Sequence, residues 1–126
     1  MDISKNYIGV SGAQAIAKAV VNHQSLVFLN LFNNKISFDG AKAMAEVLAH
    51  NSVIECLDLG HNRIRDKGLI ALVDSLVKNP SSKLKILALR FDFLTSKGIE
   101  YMFEATPKMK NQLDQVYIRN NLIDEA

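Results

Sequence analysis

Apolar and polar positions along this chain follow one rule that is stopped and restarted at regular intervals. Leu26, Leu29 and Leu31 trace L-x-x-L-x-L, and the spacing returns at Ile54, Leu57, Leu59 and at Leu84, Leu87, Leu89. Leu113, Val116 and Ile118 form a weaker fourth copy. In LNL (29–31), LDL (57–59), LAL (87–89) and VYI (116–118) the outer residues alternate with the middle one, which predicts short strands with one side turned to a core. Downstream the period lengthens. Ala41, Met44, Ala45, Leu48 and Leu69, Leu72, Val73, Leu76 fall at i, i+3, i+4, i+7, as do Ala13, Ile16, Ala17, Val20, and these predict helices.

A polar anchor separates the two patterns. Asn6, Asn34, Asn62, Asp92 and Asn121 stand 28, 28, 30 and 29 residues apart. An aliphatic residue follows two positions on (Ile8, Ile36, Ile64, Leu94, Ile123), and Gly12, Gly40, Gly68 and Gly98 follow six on. Self-similarity at this period marks a solenoid, because one strand–turn–helix unit cannot bury its apolar face and stacked copies can. The expected architecture is α/β: a right-handed, curved solenoid of about four to five repeats, with a parallel sheet inside and helices outside.

The anchor amide can accept from and donate to backbone groups that would otherwise be buried unpaired between coils. Stacked copies should form a ladder. Asp92 breaks that chemistry, since a carboxylate accepts and cannot donate, so that rung is expected to be solvated or distorted. The glycines should permit close approach or an unusual backbone angle at the helix starts, with Ser37, Asp66 and Ser96 as candidate caps. Asn and His recur at the helix ends (VVNH 20–23, LAHN 48–51, VKNP 77–80), where they can cap terminal carbonyls. Two extra residues enter the return loop around NPSSK (79–83), which accounts for the interval of 30. Residues 99–112 are a poorer copy, and Pro107 should end or kink their helix.

The frame L-x-x-L-x-L-x-x-N-x-I-x-x-x-G before an Ala/Leu-rich helix, carried by SLVFLNLFNNKISFDGAKAMAEVLAHN and VIECLDLGHNRIRDKGLIALVDSLVKN, resembles the ribonuclease-inhibitor-like class of leucine-rich repeats. The resemblance runs over essentially the whole chain and implies a fold rather than an activity, since proteins with such repeats include inhibitors, GTPase activators and immune sensors. A GTPase-activator-like regulator is one alternative, although the Ran GTPase-activating family has many more repeats and a long acidic tail.

Composition changes this picture little. At 126 residues, 48% apolar and 22% charged, the chain can hold one domain (1–126) with a core of its own. There is no apolar run of membrane-spanning length, and the N-terminal stretch lacks the features of a secretory signal. One cysteine, Cys56, permits no internal disulfide, so a cytoplasmic location is expected, with delivery by a non-Sec route left open. Fifteen basic against thirteen acidic residues argue against a nucleic-acid surface, even though Arg90 and Arg119 share a row near Lys83 and Lys85.

The repeat frame starts and stops mid-unit without the polar capping units that usually finish solenoids. This suggests either a segment of a longer array or self-association through the open ends, for example at QVYI (115–118).

On the inner sheet face, residues between core positions should stack in rows. These are Phe28, Cys56, Ile86, Gln115; then Asp2, Asn30, Asp58, Ala88, Tyr117; then Ser4, Phe32, Gly60, Arg90, Arg119, with Lys5, Asn33, His61, Phe91 and Asn120 just beyond. Aromatics, an acid and arginines together are anchor chemistry for a protein partner. The candidate binding set is Phe28, Asn30, Phe32, Asp58, His61, Ile86, Arg90, Phe91, Tyr117 and Arg119. Cys56, Asp58 and His61 invite comparison with a catalytic triad, yet no oxyanion site accompanies them, and no catalysis is expected. No metal-ligand spacing and no phosphate loop occurs, so neither metal nor cofactor is expected.

Overall fold

A computed structural model describes residues 1–111 and 113–122 of the chain. Elements alternate along it: α1 (Gly9–Val20), β1 (Phe28–Asn30), α2 (Ser37–His50), β2 (Cys56–Asp58), α3 (Arg65–Lys78), β3 (Ile86–Ala88), α4 (Ser96–Ala105) and β4 (Gln115–Tyr117). The four strands make one parallel sheet in chain order, and Asp2 adds an isolated bridge to Asn30 at its β1 side. Each strand lies one residue earlier than the apolar alternation suggests. Successive helices pack on one another and on one side of the sheet.

The core is the repeat made solid. Leu29, Leu57 and Leu87 point inward from the strands, followed by Leu31, Leu59 and Leu89 and then Ile36, Ile64 and Leu94, all fully buried. The inner helix stripes Ala41, Met44, Leu48 and Leu69, Leu72, Leu76 meet them. Burying a Leu or Ile side chain contributes about 1.5–3 kcal/mol, so one layer supplies too little alone and the stacked set closes the core. Val116 and Ile118 are half-buried against its far side. The expected aliphatic at position 123 and the end of the outer segment at position 112 lie outside the described residues.

The anchor ladder is present. Asn34 Oδ1 accepts the Asn6 N–H at 2.7 Å, Asn62 Oδ1 the Asn34 N–H at 2.8 Å, and Asn121 Oδ1 the Asp92 N–H at 2.8 Å. Each Nδ2 donates within its own repeat and to the repeat before: Asn34 to Leu31 and Ile3, Asn62 to Leu59 and Leu31, Asn121 to Ile118 and Leu89. Asp92 corrects the expectation of a solvated rung. It is fully buried and holds the register, accepting the Asn62 N–H at 2.8 Å through Oδ1.

A second ladder runs along the opposite turn. Asn51 Nδ2 donates to the Val20 and Val21 carbonyls while its Oδ1 accepts from Val53 and Ile54 N–H. Asn79 likewise donates to Leu48 and Asn51, and Asn111 donates to Leu84. His23 accepts the Ser25 and Leu26 N–H groups through Nδ1. Thus the asparagines of these turns donate to carbonyls of the preceding repeat, whereas the histidines do not: His23 accepts within its own loop and His50 stands by Glu46.

The helix starts differ from expectation. α2 and α3 begin three residues before their glycines, and no side-chain cap bond forms at Ile36 or Ile64. The cap comes from the neighbouring coil: the Asn62 carbonyl accepts the Ser37 N–H and the Asp92 carbonyl accepts the Arg65 N–H. Ser37 and Ser96 are first helical residues, and Asp66 reaches the next repeat, accepting the Thr95 N–H at 2.9 Å and the Thr95 hydroxyl. The repeat glycines serve close approach. A Cβ on Gly40 would stand 2.1 Å from Ile36 Cγ2 and 3.2 Å from Ala13 Cβ. α4 ends at Ala105 and yields to a 3-10 turn at Thr106–Lys108, as Pro107 requires.

Candidate sheet-face binding site

The strand register puts the first expected row side by side, pairing Phe28 with Cys56, Cys56 with Ile86 and Ile86 with Gln115. In the second row Asn30 pairs with Asp58, Asp58 with Ala88 and Ala88 with Tyr117. Their middle neighbours, Leu29, Leu57 and Leu87, are fully buried, so these two rows form the face turned away from the helices.

Polar side chains on this face are fixed locally. Asn30 Oδ1 accepts the Phe32 N–H at 2.9 Å, and Asp58 Oδ1 accepts the Gly60 N–H at 2.9 Å. Each such turn lifts the chain out of its strand and sets the direction of the third row. Burial pushes the Asp58 carboxyl up, opposed by the Gly60 N–H and the Arg90 guanidinium. Arg90 lies over the Tyr117 ring at 4.8 Å, and the Tyr117 hydroxyl donates to Gln115 Oε1 at 2.6 Å.

Three rings form a diagonal beside the third row. Phe32 and His61 centroids stand 5.8 Å apart, as do His61 and Phe91. Phe32 lies flat because Gly60 beneath it has no side chain: a Cβ there would come within 2.8 Å of Phe32 Cδ2 and 3.1 Å of the Arg90 carbonyl oxygen. Phe28 and Phe91 are 40% and 43% exposed, large apolar surface left open to a partner. Phe32 is half-buried. Phe28 belongs to the first row, and none of the ring contacts joins it to this diagonal. Arg119 is exposed beyond Tyr117.

The arrangement opposes nucleophilic chemistry. Burial and then the Asp58 charge push the Cys56 thiol up, the reverse of activation. Asp58 spends Oδ1 on Gly60, and the His61 ring is stacked between phenylalanines. Among the described residues no group of His, Cys, Asp and Glu could hold a metal ion, and no helix is long and apolar enough to cross a membrane.

Sequence reasoning placed His61 and Phe91 just beyond this face but missed the outer half of the strip, Lys35, Arg63 and Phe93. In the Asn62 and Asp92 repeats the residues flanking the buried anchor are exposed and take positive φ, His61 and Arg63 at 54° and 56° and Phe91 and Phe93 both at 58°; in the Asn34 repeat the exposed Lys35 does so at 55°. The alternation of buried and exposed positions that continues past LFNNK and LGHNR carries the signal for it.

The family model for the leucine-rich repeat matches residues 22–45 and 50–73. A solved structure of the leiomodin-1 actin-binding site 2 superposes with a TM-score of 0.74 over 86% of this chain, at 24% identity. The two matched stretches are leucine-rich repeats, and the chain has the leucine-rich-repeat fold. It spans 61% of that leiomodin chain, and at such identity the likeness is one of fold. No curated protein sequence matches it closely enough to count as a relative. For a leucine-rich-repeat solenoid the two ladders and the leucine layers are accounted for by stacking. The rings and charges of the sheet face touch across repeats but lie outside the buried leucine layers and the two ladders.

Proposed function

We propose that this leucine-rich-repeat chain is a protein-interaction module that binds its partner on the concave sheet face. The observation that carries the reading is the group of Phe32, His61 and Phe91 in mutual ring contact beside Arg90 over Tyr117, on the side of the sheet that the helices leave uncovered. Rigid aromatics and arginine on a preformed surface lose little freedom on binding, which is why such residues dominate interface energetics. Phe28 and Ile86 extend the apolar area, while Asn30, Asp58 and Arg119 supply polar complementarity. The similar leiomodin-1 structure, an actin-binding site, supports a protein as the partner class. The repeat subclass resembling ribonuclease inhibitor and a cytoplasmic setting belong to the same reading.

Exchanging Phe32 and Tyr117 for Ala tests it. Partner affinity should fall at least tenfold, about 1.4 kcal/mol, with the unfolding transition still cooperative. Unchanged affinity would remove the sheet face from the account. Self-association is the second reading, supported by β4 standing at the edge of the described sheet. Light scattering over a range of concentrations decides it, and a constant monomer mass would end it.

A further inference from the structure

Two hollows lie side by side on the rim where strands turn into helices. One, of about 460 Å³, is lined by Asn33, Lys35, Ser37, His61, Asn62 and Arg63. The other, of about 180 Å³, shares His61 and Arg63 and adds Phe91, Phe93, Asn120 and Leu122. The first is cationic and the second largely apolar, and among the described residues no acid lines either. Among the described residues the ion pairs are His50–Glu46 and Lys85–Glu55, so Lys35, Arg63 and the adjoining Arg65 lack a carboxylate partner. Asp66, next to Arg65, has both oxygens on Thr95. The backbone donors of this rim are spent inside the stack, as in Asn33 N–H to Gly60, His61 N–H to Arg90 and Arg65 N–H to Asp92. An anion arriving here therefore meets side chains.

We propose that this rim binds an extended acidic segment of a partner protein, with a carboxylate between Lys35 and Arg63 and an apolar side chain against Phe91, Phe93 and Leu122. The two hollows are one repeat apart, about 5 Å at inter-strand spacing, and side chains i and i+2 of an extended peptide lie about 7 Å apart on one face. That spacing selects an acid, any residue, then a large apolar residue. Unpaired cations beside aromatic surface favour such a sequence electrostatically and by burial. A single-stranded nucleic acid fits less well, because stacking needs open ring faces. Here Arg63 and Arg65 lie over Phe93 at 5.8 and 5.4 Å, and Lys35 lies over Tyr7 at 4.7 Å. The proposal goes beyond the sheet-face reading: it shares His61 and Phe91 with that face, but its test turns on Lys35, Arg63 and Phe93, which lie outside the face tested by Phe32→Ala and Tyr117→Ala.

The test is a titration of isotopically labelled protein with the end-blocked peptide Glu-Ser-Phe-Ser-Glu-Ser-Phe-Ser, following backbone amide shifts to millimolar concentration. Shifts should centre on Lys35, His61, Arg63 and Phe93. They should require roughly tenfold more of the same peptide with Gln for Glu, and more again in a Lys35→Glu, Arg63→Glu protein. Phe93→Ala, which keeps the charge, should weaken binding severalfold, and amides distant from the rim report that each variant is folded. The proposal is overturned by absent rim shifts, by equal response to the Gln peptide, by an unaffected charge-reversal variant, or by ten-residue oligothymidine binding the same amides more tightly.

Discussion

Asp92 accepts the backbone N–H of Asn62 at 2.8 Å through one carboxyl oxygen, while the other is buried without a partner. That second oxygen stands where Asn34, Asn62 and Asn121 each place an Nδ2 that donates to carbonyls of its own and the preceding repeat, and in the register of the ladder it faces those of Leu89 and Leu59. Protonated, it can donate as the amide does. Ionised, it brings a charge against carbonyl oxygens in a buried site.

The carboxyl of Asp92 is accordingly pushed up to about 7 by burial, with Asp58 adding to the effect and the Asn62, Ile64 and Arg63 N–H groups opposing it. Because the folded value lies above the usual 3.8, the folded state holds this proton where the unfolded chain has lost it. Its contribution is complete below about pH 4 and is lost as pH rises towards 7, at up to about 1.4 kcal/mol per pH unit. Urea unfolding at pH 5 and pH 8 should show the wild type weakening with pH. Asp92→Asn should be more stable than the wild type at pH 8 and should flatten this slope. Parallel curves for the two proteins would refute the assignment.

Asn51 joins two repeats with four hydrogen bonds from one buried amide. Asn51→Ala should cost about 2–4 kcal/mol, since it strands buried carbonyls of α1 and N–H groups of its own return loop. The urea midpoint reads this directly, and a change below about 0.5 kcal/mol would place the load elsewhere.

Gly98 and Asp66 are coupled across repeats. A Cβ at Gly98 would stand 2.2 Å from Asp66 Oδ1, the oxygen that takes the Thr95 N–H. Gly98→Ala should therefore cost about 1–3 kcal/mol in the wild type and much less once Asp66→Ala has been made. Additive losses in the double-mutant cycle would break the link.

Cys56 should be a slow thiol. Its raised pKa leaves little thiolate at neutral pH, so alkylation in the folded protein should run well below the rate in urea. A folded-state rate above the unfolded one would reopen the question of nucleophilic chemistry.

The parts of this fold legible in the sequence are those that recur. Leu29, Leu57 and Leu87 repeat in phase because each must fill the same layer, and Asn34 and Asn62 because each closes the same turn. The sheet-face rows follow from strand alternation, and the register bears them out as neighbours, though their role in binding is a separate proposal. The helix starts were less legible because their cap is a backbone carbonyl of the next coil, as at Ser37 and Asn62, and leaves no residue signature. Asp92 misled for a different reason. Its chemistry suggests water, but a single substitution in a stack of identical turns inherits the burial of its neighbours. The rim escaped notice because Lys35, Arg63 and Phe93 differ in type and share only their exposed position beside the anchor.

The most direct test of the sheet face as a recognition surface is photo-crosslinking in extract. A photoreactive phenylalanine analogue would replace Phe28 on the sheet in one protein and Phe103, 64% exposed on α4, in another. A discrete protein adduct from position 28, absent at position 103 and lost when Phe32→Ala and Tyr117→Ala are added, is the result this account predicts. Adducts arising from position 103 and none from position 28 would contradict it.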